Sequence, residues 1–221
     1  MSHLEKAESG TFGATPPQPV PAQGYRRRIG NPGPLGLFSF ASTTFILSLY
    51  NVQARGITHP NVVVGMALGV GGLAQLLAGM WEFACGNTFG ATAFSSYGGF
   101  WLSYAALFIP GSGILDAYAD HGELASALGI YLITWAMVTF LLLIGATRRN
   151  AGLIALFAFL TITFILLAAG EFSGHVGVSK AGGAVGIATA MIAYYVGLAE
   201  LMIRDESWFT MPVGQIPKRL F

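Results

Sequence analysis

Six stretches of about 20 apolar residues, the length of helix that crosses the hydrocarbon core of a bilayer, dominate this sequence. They run over Leu35–Ala54, Pro60–Phe83, Phe89–Ile109, Leu124–Thr147, Ala151–Gly170 and Ala181–Ile203. Four carry no charge; Glu82 and Glu200 are the single charges of the other two, each near an end. Hydrocarbon offers no partner to a free backbone N–H or C=O, so only helices and closed barrels can span it. A barrel strand reads as about ten alternating residues, half the length of these continuous runs. Helices of a soluble core need a polar face with a 3.6-residue period, and none is present. The chain therefore reads as an all-α polytopic membrane protein with six transmembrane helices. Charged residues make up 10% of it, against about 25% in soluble domains. A net charge of +1 provides no basic surface for nucleic acid. The one cysteine, Cys85, excludes a disulfide framework and reads as a small apolar packing residue.

The chain divides into three segments: 1–30 as a disordered cytosolic tail, 31–203 as the six-helix domain and 204–221 as a short cytosolic tail. The first is polar and holds Pro16, Pro17, Pro19 and Pro21, too little apolar surface to fold. It has no apolar signal-peptide core. With six spans both termini share a side, and basic residues near span ends set which side it is. Lys6, Arg26, Arg27, Arg28, Arg148, Arg149, Arg204, Lys218 and Arg219 share the side of the termini, and Arg55 and Lys180 the other. Nine against two places both termini in the cytosol.

Polar residues on the spans carry the functional information. Thr44, Ser48 and Asn51 stand at i, i+4 and i+7, one helix face, with Thr43 beside them. In hydrocarbon a polar stripe must face protein or water, so it marks either interhelical hydrogen bonds or a hydrated path. Gln75, Tyr97, Ser103, Tyr104, Thr161 and Thr163 extend this set to other spans. Gly65/Gly69 and Gly182/Gly186 are small-x-x-x-small pairs that let helices approach closely. Of the three span-end acids, Glu200 has Arg204 at i+4 as a structural partner, and Glu171 reads as solvated. Glu82 has no basic residue within a turn. A carboxyl in a low-dielectric setting favours its protonated form, which makes Glu82 the candidate proton-linked or gating group. No Lys or Arg stands at mid-span, so an anion would be held weakly, by hydroxyls, amides and helix N-termini. The four histidines fall far apart on the tail and loops, giving no metal site. No nucleophile-elbow spacing is present. Neither a cofactor nor an enzyme activity is expected.

Before the first span the sequence reads Asn31-Pro32-Gly33-Pro34-Leu35-Gly36-Leu37. Gly86-Asn87-Thr88-Phe89-Gly90 comes after the second span, and Phe94-Ser95-Ser96-Tyr97-Gly98-Gly99-Phe100-Trp101 lies in the third. These resemble, in order, the N-P-A-P-L-G-L, G-N-T-F-G and F-x-S-Y-G-x-F-W patterns of the acetate uptake transporter family, also called succinate–acetate permeases. The resemblance covers about 31–217. Gly33 departs from the family's alanine, with local flexibility as the expected effect. An Asn-Pro near a helix is also similar to aquaporins, but those carry two copies of Asn-Pro-Ala, whereas this chain has one Asn-Pro and no second half that matches it.

The resemblance implies six spans, a pathway within each protomer, a ring-shaped hexamer and a plasma-membrane location. It also implies a hydrophobic constriction of Phe40, Tyr97 and Leu160, and it places the family's glutamate of span two on Glu82. Asn31, Pro32, Pro34 and Gly36 form the signature. Thr43, Thr44, Ser48, Gln75, Asn87 and Thr161 are the polar groups expected along the path. The implied cargo is acetate and related short monocarboxylates, with succinate, carried with a proton past a ring that excludes hydrated ions until it widens. Ammonium or ammonia export, and acetate sensing with little flux, are the competing functions. A structural scaffold is a third, against which the polar stripe argues.

Overall fold

The structure, a computed structural model, describes residues 29–118 and 120–217. The expected tail over 1–30 lies, but for its last two residues, outside the described residues. Six long helices run in order: α1 Gly33–Asn51, α2 Val63–Ala84, α3 Thr88–Phe108, α4 His121–Ala146, α5 Ala151–Ser173 and α6 Val176–Leu201. All but α3 are long and apolar enough to cross a membrane. The 21 residues of α3 are long enough, but serines, threonines and glycines dilute their hydropathy. The chain is thus an all-α polytopic membrane protein.

The helix starts reflect local chemistry. The first N–H groups of a helix lack intrahelical partners, and a short polar side chain supplies one. Asn87 accepts from Gly90 N at the head of α3, Asp120 from Gly122 N at α4, and Asn150 from Leu153 N at α5. At α1 the Asn31 side chain accepts from Gly33 N at 3.0 Å, with Pro34 in the first turn. Proline suits this position because it lacks an N–H that would be unpaired anyway. Gly174, at φ 66°, closes α5 in the left-handed region. The α6 helix starts at Val176 rather than Ala181, so Lys180 lies within it on an exposed face. Apolarity alone places spans, whereas caps place helix ends.

Both α2 and α6 pack against α1, α2 packs on α3, and α5 packs between α4 and α6. The remaining seam, α3 to α4, is closed by large side chains: Tyr97 against Trp135, and Phe100 against Tyr131. Only one of the two glycine pairs lies in a helix contact within the protein. A Cβ on Gly182 would meet Leu167 of α5, and one on Gly186 would meet Ser48 of α1. Among the described residues, Gly65 and Gly69 have nothing within 4 Å of that position. The outer faces are apolar: Met137, Leu141 and Ile144 of α4 are all more than half exposed, as a lipid contact requires.

Two expectations are corrected. Cys85 is exposed at the end of α2, where the chain leaves the helix, and is not a packing residue. The Glu200–Arg204 register fails because α6 ends at Leu201 and Met202 is extended (ψ 99°), so the i+4 geometry stops short of Arg204.

The segment after α6 turns back onto the bundle. Ala151 N donates to Gly214 O at 2.9 Å, Gly152 N to Val213 O at 3.1 Å, and Ile216 N to Arg149 O at 3.2 Å. Residues 213 and 214 thereby satisfy the orphan donors at the N-terminus of α5, a reason for a terminal segment to dock.

Gly186→Val should overpack the α1–α6 contact and cost on the order of 1–3 kcal/mol. Gly99→Ala, where none of the described residues lies within 4 Å of a Cβ, should cost none. Thermal midpoints of the two variants in the same detergent check this contrast.

Candidate functional site

Two cavities meet inside the bundle. The first, about 580 Å³, runs inward from the α4–α5 turn at Arg148 and Arg149 and ends against Phe40, Gln75 and Tyr97. The second, about 240 Å³, begins at Phe40 and Leu160 and reaches Asn51, Glu171 and Ser179 at the opposite end. A third recess shares Asn51, Pro60, Glu171 and Ser179 with it and opens towards Gln53 and Thr58. Phe40 borders both main cavities.

The partition between them is apolar and tightly packed. Phe40, Tyr97 and Leu160 are 4%, 2% and 3% exposed and belong to one hydrophobic cluster. The Phe40 and Tyr97 rings stand 5.4 Å apart at 51°. Thr139 donates its hydroxyl to Trp135 O at 2.7 Å, so the Tyr97 hydroxyl donates to Thr139 Oγ1, 3.0 Å away. That bond uses the only side-chain donor of Tyr97. What Tyr97 offers the partition is ring surface. Gly36, one turn before Phe40, has no room for a side chain: a Cβ there would lie 2.5 Å from the Phe94 ring. This close approach draws α1 onto α3 where the partition forms.

The first cavity, called the inner one from here and the second the outer one as labels only, has a polar cluster at its mouth. Asn87 Nδ2 donates to Glu82 Oε2 at 2.8 Å, and Arg149 Nη1 donates to Asn87 Oδ1 at 3.4 Å. Arg149 also lies 4.1 Å over the Phe89 ring, a cation–π contact. Partial burial pulls the Arg149 guanidinium down from its ordinary value, and the Glu82 carboxyl opposes this; an arginine so placed stays cationic. Glu82 is 4% exposed. It has no cation in sequence range, yet the α4–α5 turn brings one across the mouth. Glu200 borders the same cavity, and its carboxylate occupies the space a Cβ on Gly33 would take. Glycine at this position makes room for an acid.

The polar residues expected along a path divide. Thr44, Ser48 and Asn51 face the outer cavity, as one helix face should, while Gln75 and Asn87 face the inner one. Thr43 and Thr161 border neither; they donate to Ser39 O and Phe157 O within their own helices. Asn31, Pro32 and Pro34 shape the start of α1. Five buried side-chain polar atoms have no hydrogen-bond partner among the described residues: Thr44 Oγ1, Gln75 Nε2 and Oε1, Ser95 Oγ and Trp101 Nε1. All except Ser95 belong to residues bordering one of the two cavities. Sequence reasoning missed Trp101, Phe89, Phe157 and Arg149 as cavity residues. The basic pair Arg148-Arg149 in a turn between two spans was the one available signal. Among the described residues no cluster of His, Cys, Asp or Glu could hold a metal ion.

The sequence model of the GPR1/FUN34/yaaH family matches residues 12–218. The chain is 49% identical over 191 residues to ammonia transport outward protein 2 of Saccharomyces cerevisiae, covering 86% of this chain and 68% of that one. It is 35% identical over 189 residues to the succinate-acetate/proton symporter SatP of Escherichia coli, covering 85% of this chain and 97% of that one. Its fold matches the structure of the bacterial acetate channel SatP with a TM-score of 0.76 at 34% identity, covering 85% of this chain and 100% of that one.

Tyr97→Phe should keep the ring in the partition and remove the bond to Thr139. The expected loss is about 1 kcal/mol for one buried hydrogen bond, read as a lower unfolding midpoint.

Proposed function

The chain belongs to the GPR1/FUN34/yaaH family, and on that premise we propose that it carries acetate, related short monocarboxylates and succinate across a membrane with a proton. The observation that carries this reading is the pair of cavities closed from each other by Phe40, Tyr97 and Leu160. An apolar partition between two recesses lined in part by polar side chains resists a hydrated ion by dewetting. A short carboxylic acid offers it a methyl group, and the polar groups on either side receive the other end. The relatives named for proton-coupled succinate and acetate transport, and for an acetate channel, support the same cargo. In this reading the protein is a transporter without catalytic chemistry.

Six spans result if α3 crosses with the other five, and the excess of Lys and Arg on one side then puts both termini in the cytosol. The inner cavity, with Arg148 and Arg149 at its mouth, opens to the cytosol, and the outer one faces the other side of the plasma membrane. Glu82 is the proton-linked group: it borders the inner cavity, and its hydrogen bond to Asn87 ties it to Arg149. Thr44, Ser48, Gln75 and Asn87 line the substrate path; Thr43 and Thr161 support it from within their helices. A homo-hexamer is the proposed assembly, and the unpartnered Gly65/Gly69 face suits a seam between protomers.

Ammonia export is the second reading, favoured by the 49% identity to a relative named for it. Uptake of labelled acetate into liposomes holding the purified protein separates the two. Uptake above lipid-only leak, increased by an inward proton gradient, supports acetate transport; none, with ammonia release intact, supports the second. Phe40→Ala and Leu160→Ala should widen the partition and admit longer acids, with an uptake change of about tenfold if the barrier shifts by about 1.4 kcal/mol. Glu82→Gln cannot change charge, so the acidic limb of the uptake–pH profile should flatten. An unaltered profile removes Glu82 from the proton path.

A further inference from the structure

Gln75 stands apart from every other polar side chain on the spans. It is wholly buried, it borders the inner end of the inner cavity beside Phe40 and Tyr97, and neither atom of its amide has a hydrogen-bond partner among the described residues. Buried amides are otherwise almost always paired. The helix around it is also irregular. Residues Gly69–Ala74 form a π turn that ends where Gln75 resumes the α-helix. Such turns insert a residue, re-aim the side chains beyond them and recur at functional sites. Gly71 and Gly72 lie within this turn. A Cβ on the first would stand 2.7 Å from Thr43 Oγ1 of α1, and one on the second 2.6 Å from Leu102 Cδ2 of α3. The neighbouring helices therefore close in on α2 at the level where the free amide sits.

We infer that Gln75 recognises the neutral form of the carried acid, pairing edge to edge with its undissociated carboxyl group beside the partition. This rests on the proposed acid transport and goes further by fixing which protonation state reaches the gate. A primary amide presents an N–H donor and a C=O acceptor side by side. A carboxylate is an acceptor only: it satisfies Nε2 and leaves Oε1 unpaired, facing a negative group. An undissociated acid satisfies both, its O–H donating to Oε1 and its C=O accepting from Nε2. The surroundings favour the same form. Leu37, Phe40, Ala93 and Tyr97 border this end of the cavity. The charged groups on the same cavity are Glu82 and Glu200, Arg148 and Arg149. Glu82 is seven residues along α2, or about 10 Å of helix rise, and the two arginines are at the mouth. An anion at Gln75 would be stripped of water with no cation in contact, whereas a neutral acid carries no such penalty.

Acetamide tests this, because it has the size of acetic acid and the same donor–acceptor edge but does not ionise. In proteoliposomes of the full chain, acetamide should slow labelled acetate uptake by the unaltered protein. Gln75→Leu should raise the half-inhibiting acetamide concentration tenfold or more. Gln75→Glu should carry acetate at acid pH, where a protonated carboxyl repeats the paired edge. Its uptake should then fall more steeply than that of the unaltered protein as pH rises and the new carboxyl ionises. The inference is overturned if nitrate, a planar anion, inhibits and acetamide does not. It is overturned equally if Gln75→Leu keeps the original acetamide sensitivity, or if Gln75→Glu keeps the original pH profile. Should the unaltered protein take up no acetate above lipid-only leak, the transport reading fails. Saturation-transfer NMR of acetamide on the micellar protein then decides the amide's role: a signal that Gln75→Leu loses upholds it, and no signal, or one that variant retains, overturns it.

Discussion

Hydrocarbon supplies no hydrogen bonds, and the rest of this structure depends on how that demand is met. The backbone meets it by coiling into helices, whose first N–H groups are capped by Asn31, Asn87, Asp120 and Asn150. The α5 terminus needs more, and Gly214 and Val213 return to supply it. Threonines within the spans meet it locally, as Thr43, Thr161 and Thr163 do by donating one turn back. Against that background the unpaired atoms of Thr44, Gln75 and Trp101 are exceptions, and all three residues border the two cavities. A polar atom left unpaired in protein interior is costly, about 1–3 kcal/mol. Its placement along a path, where a passing solute can pair with it, gives that cost a purpose.

The partition at Phe40 shows the converse principle. Its one side-chain polar atom, the Tyr97 hydroxyl, is committed to Thr139, and Thr139 in turn to Trp135. Aromatic packing continues outward from it on both sides. Tyr97 stacks 6.4 Å from Phe157, Phe157 meets Phe89 edge-on at 5.6 Å, and Phe89 carries Arg149 over its face. On the other side Phe100 contacts Trp135, Tyr131 and Phe164. A rigid apolar wall thus connects the partition to the charged inner mouth. Displacing Phe40 would disturb close packing that interiors do not give up gradually, which suits a closed barrier better than a loose one.

Charge is confined to the ends of the cavities. Glu82, Glu200 and Arg149 share the inner mouth, and Glu171 stands at the other end. Asn87 serves two purposes here: it caps α3 through Gly90 N and joins Glu82 to Arg149. One side chain therefore links the helix start to the electrostatics of the mouth. Gly33 leaves the space that the Glu200 carboxylate fills, so the signature segment at the head of α1 is also part of this mouth.

The sequence by itself determined the class of the protein. Long charge-free runs admit only membrane helices, and the i, i+4, i+7 spacing of Thr44, Ser48 and Asn51 put them on a shared face before any contact was visible. Glu82 was marked by the same logic, as a lone acid in an apolar span. The resemblance of the three motifs supplied Phe40 and Leu160, which apolarity alone leaves indistinguishable from packing. Tertiary structure decided the rest, because it depends on which distant residues meet. It set Arg149 against Asn87, 62 positions apart, and freed Glu200 from Arg204 by ending α6 at Leu201. It turned Cys85 to the surface and used one glycine pair for contact while leaving the other outside. It also left the Gln75 amide unpaired, a property no sequence pattern encodes, since a hydrogen bond's absence is defined only by everything packed around it.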